Sequence, residues 1–134
     1  MSDILAATRT YLLTQSGVTD LVATRLYYDN LPQNATLPAV VLYQTAEDAT
    51  RHLASSDTLN RHGLLLEVYA TTHTSAAAVG EALKAAIEMQ SGTWGTVDVR
   101  GAYVESVVDS PDAPKDGSQN YRRVRTLLCG VQAN

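Results

Sequence analysis

The hydrophobic period of this chain changes between helical and extended in one order only, and that order limits the possible folds more than any single motif. Ile4, Leu5, Thr8, Tyr11 and Leu12 recur at helical spacing and predict a helix from about Asp3 to Gln15. Ser2 is its expected cap, Asp3 suits its positive end, and Ser16-Gly17 is its expected stop. Val18 to Val22 reads as a short helical turn folding back on it. Arg25 to Tyr28 is extended and leads into a loop containing Pro32 and Pro38. Ala39 to Gln44 is β-branched and aromatic and reads as a strand entered from a proline. Arg61 to Ala70 is a second strand, with Leu64, Leu66 and Val68 on one face and Leu65, Glu67 and Tyr69 on the other. Thr74 or Ser75 then caps a helix from about Ala76 to Met89, whose apolar stripe is Val79, Leu83, Ala86 and Ile87. Val97 to Val108 and Tyr121 to Val131 are the third and fourth strands.

Two stretches have no sustained period. Thr45 to Asn60 is polar and mixed in charge, and reads as a long loop. Asp109 to Ser118 holds two prolines and an Asp-Gly pair, and reads as an exposed excursion between paired strands. Helices and strands do not alternate strictly, so the expected class is α+β: a four-stranded, largely antiparallel sheet with two main helices on one face. At 134 residues the chain is expected to be a single domain, residues 1–134, burying roughly two-thirds of its unfolded surface.

Composition removes several function classes. Net charge is −4 and the pI about 5.2, a poor balance for gripping phosphates. No apolar run approaches the roughly 18 residues of a membrane span, and the N-terminus shows no basic leader, so a soluble cytosolic product is expected. The lone Cys129 excludes an internal disulfide, and it sits in an apolar strand, Leu127 to Val131, where a small buried hydrophobe is expected. His52, His62 and His73 show no ligand spacing, so no metal is expected. Neither a GxSxG elbow nor a phosphate-binding glycine motif occurs, and the paired acids Glu47/Asp48 and Asp109/Asp112 lie in stretches read as loops. No catalytic residue and no cofactor is expected. Trp94, in the helix-to-strand connection, is expected to cover the edge of the core.

What the residues do offer is surface. Arg122, Arg123 and Arg125 gather positive charge at a strand start, which fits a nucleic-acid contact, a solvated strand end or a salt-bridging protein interface. Leu65 and Tyr69, with Tyr103 and Val107, point away from the helix-facing residues of their strands. They mark either a partner surface or a face covered by the irregular segment from Leu26 to Pro38.

Ser2-Asp3-Ile4-Leu5, Leu21-Val22, Arg25-Leu26-Tyr27, Leu31-Pro32 and Leu37-Pro38-Ala39-Val40-Val41 stand in an order continued by Leu66-Glu67-Val68-Tyr69-Ala70. An alanine-rich helix to Ile87, Asp116-Gly117-Ser118 and Tyr121-Arg122 complete the set. This ordered set, spanning essentially the whole chain, resembles the tail-completion proteins of long-tailed bacteriophages, also called tail terminators or head-to-tail joining proteins. The resemblance implies a non-enzymatic α+β structural protein of the virion, located at the head-proximal end of the tail and present in the host cytoplasm during assembly. It implies a ring of identical subunits, usually a hexamer, that stops growth of the tail tube and presents a surface to the head connector. The implied partners are further copies of the chain, the tail tube protein and a head connector or head-closure protein. DNA would pass through the lumen without specific binding, which acidic groups there would favour. The family lends no interface motif, so the expected contact residues come from the reading above: Asp109, Asp112, Lys115, Asp116, Arg122, Arg123, Arg125, Leu65 and Tyr69, with the Thr45–Asn60 loop next. A head-closure ring component and a cytosolic adaptor domain are the alternative readings, and a small enzyme working through His62 or His73 is a further one.

Overall fold

A computed structural model describes residues 4–32, 36–51, 58–112 and 122–133. The order of elements is helix α1 (Ile4–Leu13), helix α2 (Ser16–Val22), strands β1 (Leu26–Tyr28), β2 (Ala39–Arg51) and β3 (Thr58–Ala70), helix α3 (His73–Ile87), and strands β4 (Gly92–Trp94), β5 (Val97–Asp112) and β6 (Arg122–Ala133). The class is α+β. The sheet has six strands rather than four, in the order β1-β2-β3-β6-β5-β4. Every pair is antiparallel except β1 on β2. The two strands missed by the sequence reading, β1 and β4, are three residues each. That is too short for a period of two to show.

Alternation builds the core. From Arg61 to Ala70 the side chains of β3 alternate strictly between more and less buried, the signature of a sheet with one face under helices. Leu64, Leu66 and Val68 of β3 join Leu127, Cys129 and Val131 of β6, and Val40 and Leu42 of β2, in one cluster with Ile4, Leu12, Val79, Leu83 and Ile87 from the helices. Trp94 is 1% exposed and stacks on Tyr11 at 4.2 Å between ring centroids, the planes 8° apart. Tyr11 in turn donates from its hydroxyl to the Ala86 carbonyl, tying α1 to α3 through one aromatic pair. Gly95, at φ +61, makes the turn from β4 to β5, and a Cβ added to it would stand 3.6 Å from the Ala7 Cα; a side chain here would strain the turn.

Several boundaries move. Ser16-Gly17 opens α2 as well as following α1. Helix α3 starts at His73 because Thr72 is its cap, the Thr72 hydroxyl accepting from Ser75 N–H at 3.1 Å. It stops at Ile87, where Met89 turns left-handed (φ +58) and donates its N–H to the Ala102 carbonyl at 2.8 Å. The largest change is in the loops. Thr45–Asn60 is mostly a hairpin: β2 and β3 pair as far as Arg51↔Thr58, with a bulge between Gln44 and Ala46. The Asp109–Ser118 excursion likewise begins as strand, since Asp109 to Asp112 pair with Arg125 to Arg122. Polar residues on both faces hide such strands from a pattern reading, because hydrophobic alternation marks a strand only where one face is buried.

Leu66 lies at the centre of this arrangement and is fully buried. Leu66→Ala should destabilise the fold by about 2–5 kcal/mol, measured by urea unfolding; a loss below about 1 kcal/mol would mean the helix-facing core is not where the stability resides.

Candidate interaction surface

All three helices bury their apolar residues in the cluster on one side of the sheet. The other side is a strand surface with an apolar centre. Ala39 and Val41 are fully buried there, and Tyr43, Leu65, Leu128, Val124 and Tyr103 are half-buried around them. Leu65 lies between Tyr43 and Leu128, and Tyr69 between Ala39 and Val124. The structure thus places Leu65 and Tyr69 on the helix-free face, as their strand parity predicts. In their midst sits Glu67, whose carboxylate accepts from the Tyr69 hydroxyl at 2.5 Å. The Tyr43 hydroxyl is held above its ordinary pKa by burial, then by the Glu67 and Asp29 charges.

At one margin of this face Arg61 donates from Nε to the Tyr103 hydroxyl at 2.7 Å, lies 5.9 Å over its ring, and forms an ion pair with Glu105. The phenol can lie flat across the sheet because its neighbour on β6 is Gly130. A Cβ on Gly130 would come within 2.4 Å of the ring. A glycine inside a strand signals a close approach of this kind, and it was the available clue to this cluster. Nothing in the sequence pattern brings Arg61 to Tyr103 and Glu105, since β3 and β5 lie far apart in the chain.

Of the expected charged residues, Asp109 and Arg125 meet each other. Arg125 donates from Nε and a terminal nitrogen to the two Asp109 oxygens at 2.6 and 2.9 Å, a bidentate pair. Glu81 of α3 lies 3.8 Å from the guanidinium on its other side. Arg125 belongs to the helix-facing side of β6, and its stem crosses α3 at Gly80, where a Cβ would stand 2.4 Å from the Arg125 Cδ. The arginine thus makes an ion pair within its own chain, a partner the sequence reading did not foresee. Asp112, Arg122 and Arg123 are placed by backbone register only, Asp112 opposite Arg122 and Pro111 opposite Arg123. Lys115 and Asp116 lie outside the described residues.

The chemistry of enzymes is not assembled by these positions. Cys129 is buried, and burial pushes its thiol up to about 12, far from a working nucleophile. His62 is buried, with its Nδ1 3.2 Å from the Gln44 amide. His73 stands exposed at the start of α3, and His52 lies outside the described residues. Among the described residues no group of three His, Cys, Asp or Glu side chains could hold a metal ion, and no helix is long and apolar enough to cross a membrane.

Comparison with known proteins supplies the family. The model of the family described as tail completion protein gp17 matches residues 6–126. A solved chain from the virion of a native gene transfer agent particle is 16% identical, with a TM-score of 0.68, over 98% of this chain and 95% of that one. A second solved chain is 15% identical, with a TM-score of 0.57, over 100% of this chain and 96% of that one. At these identities the two structures show a shared fold. No curated protein sequence matches the chain.

The Arg125 hydrogen bond holds the Asp109 carboxyl below the usual carboxylate range. A depressed folded-state pKa contributes stability that is present above the unfolded value, near 4, and is lost as pH falls through the folded one. Asp109→Asn should therefore cost roughly 0.5–1 kcal/mol at neutral pH, the upper end for an exposed pair, and should flatten the acid limb of the stability–pH curve. Urea unfolding between neutral pH and pH 2 checks this; an unchanged acid limb would show that the pair contributes nothing.

Proposed function

The chain belongs to the tail completion protein gp17 family, and we propose that it is a structural subunit of a phage-type virion, forming a ring on the head-proximal end of the tail tube. On this reading the ring ends tube growth and presents the surface on which the head connector or head-closure protein docks. The match over residues 6–126 carries the proposal, because it runs from the first turn of α1 into the start of β6 and so takes in most of the chain. The shared fold with a chain of a gene transfer agent virion supports it.

Physical features agree with such a role. A subunit of a ring needs extended surface more than a cleft, and this chain offers a helix-free sheet face with an apolar centre and two long hairpins. Its charge of −4 suits a lumen through which DNA slides, since like charge keeps phosphates from adhering. The partners are further copies of the chain, expected as a hexamer, the tail tube protein and the head connector. No catalysis and no cofactor enters the role, and the chain would reside in the virion after assembly in the host cytoplasm. Leu65 and Tyr69 are proposed to lie in subunit contacts, with the Asp109–Ser118 segment, including Asp112, Lys115 and Asp116, reaching toward a neighbour or the tube beside Arg122 and Arg123.

The test is to add the purified chain to growing tail tubes and follow tube length by electron microscopy, with gold-labelled protein to locate it. Growth should stop within a narrow length range and the label should mark one end only. Label on DNA-filled heads with no effect on tubes would overturn the terminator reading in favour of a head-closure component.

A further inference from the structure

Among the described residues, each edge of the sheet is closed over only part of its length. β1 covers β2 from Val40 to Leu42, and the Asp29 N–H adds a bond to the Leu42 carbonyl. From Gln44 to Arg51 no strand lies outside β2 among the described residues. On the opposite side β4 covers β5 from Val97 to Val99. The next groups are capped singly, the Ala102 carbonyl by Met89 N–H and the Val104 N–H by the Glu88 carboxylate at 3.0 Å. Past the bulge at Glu105, the outer edge of β5 has no strand beside it from Ser106 to Asp112 among the described residues. Rows of backbone donors and acceptors of this kind are templates for another strand.

These two open stretches fit each other. β2 and β5 run antiparallel across the sheet, so a neighbour in the same orientation brings its β5 antiparallel to this β2, the ladder the sheet already uses. Glu47 lies level with Ala102, through His62 and Val131, whereas the open part of β5 centres on Asp109, level with Arg125 and so six residues from Val131 along β6. Sliding the neighbour by that distance, about 20 Å at ~3.4 Å per residue, sets the open stretches side by side. In that position the covering strands β1 and β4 clear one another, and Pro111, which has no N–H to offer, falls at the end of the ladder beside β1.

Side chains on the β5 stretch agree. Val107 and Val108 point to opposite faces and are 41% and 59% exposed, apolar groups that continuation of the sheet would cover. Asp109, the charge between them and the tip, is already paired with Arg125, so an arriving strand meets no unpaired carboxylate there. We propose that copies of this chain associate head to tail by adding the Ser106–Asp112 edge of one β5 to the Gln44–Arg51 edge of the next copy's β2. The inference rests on the ring reading and deepens it. A head-to-tail contact closes into a ring when its rotation allows, and the stagger between copies tilts the strands as it does in a closed barrel.

Thr50 and Ser106 face each other in this register, so the test uses Thr50→Cys, Ser106→Cys and the double variant, treated with a short bis-maleimide; the buried Cys129 serves as the native background. Cross-linking is done free at a concentration where light scattering shows multimers, and on tail tubes. The double variant should give a ladder of cross-linked species and each single variant less than a tenth of that yield. A dimer from Ser106→Cys alone, or from Thr50→Cys alone, means two-fold pairing of like edges and overturns the proposal. Multimers without any cross-link overturn edge pairing and leave the ring standing, whereas a chain that stays monomeric both free and on tubes overturns both.

Discussion

The fold depends on one packed layer: the helix-facing side of β3 and β6 beneath α3. Leu64, Leu66, Leu127 and Cys129 there are at most 1% exposed, as are Val79 and Leu83 above them. Burial of that density is the main favourable term available to a domain of this size. It also fixes register, because a slip of one residue in either central strand would turn its whole apolar set to the wrong face. The remaining elements attach to this layer. α1 does so through Tyr11 and Trp94, and the β5–β6 hairpin does so through Arg125, which reaches back over Gly80 to Glu81.

Beyond that layer the sheet runs on in long strands. β2, β3, β5 and β6 are 12 to 16 residues long, roughly twice the usual strand, while the strands that flank them are three residues each. Long central strands with minimal edge strands leave backbone hydrogen-bonding groups and apolar residues such as Val107 and Val108 at the margin. In a protein that works alone such edges are a hazard. In the ring proposed for this chain they would be where the neighbour binds.

The helix-facing core was legible in the sequence because it is periodic: Leu64, Leu66 and Val68 on one strand and Val79, Leu83 and Ile87 on one helix could be read directly. The same parity placed Leu65 and Tyr69 on the opposite face. Other features were closed to pattern reading for identifiable reasons. Glu47 to Arg51 and Thr58 to Asn60 pair as strand without any hydrophobic alternation to announce it. β1 and β4 are shorter than one full period of evidence. Arg125 stood in a basic run, and only the packing of β6 under α3 shows that it meets Asp109. The Arg61–Tyr103–Glu105 cluster depends on sheet order, which the sequence did not reveal. Function came from the ordered resemblance along the whole chain, which the family match over residues 6–126 bears out, and not from any one residue.

The central claim is that this chain keeps a complete core and reserves its sheet edges for neighbours. Amide hydrogen exchange, compared between the free chain and the chain seated on tail tubes, tests it most directly. The account predicts at least tenfold slower exchange at residues 44–51 and 106–112 on seating, with the centres of β3 and β6 slow in both states. Unchanged exchange along both edges, with slowing confined to the outer surface of the helices, would contradict it.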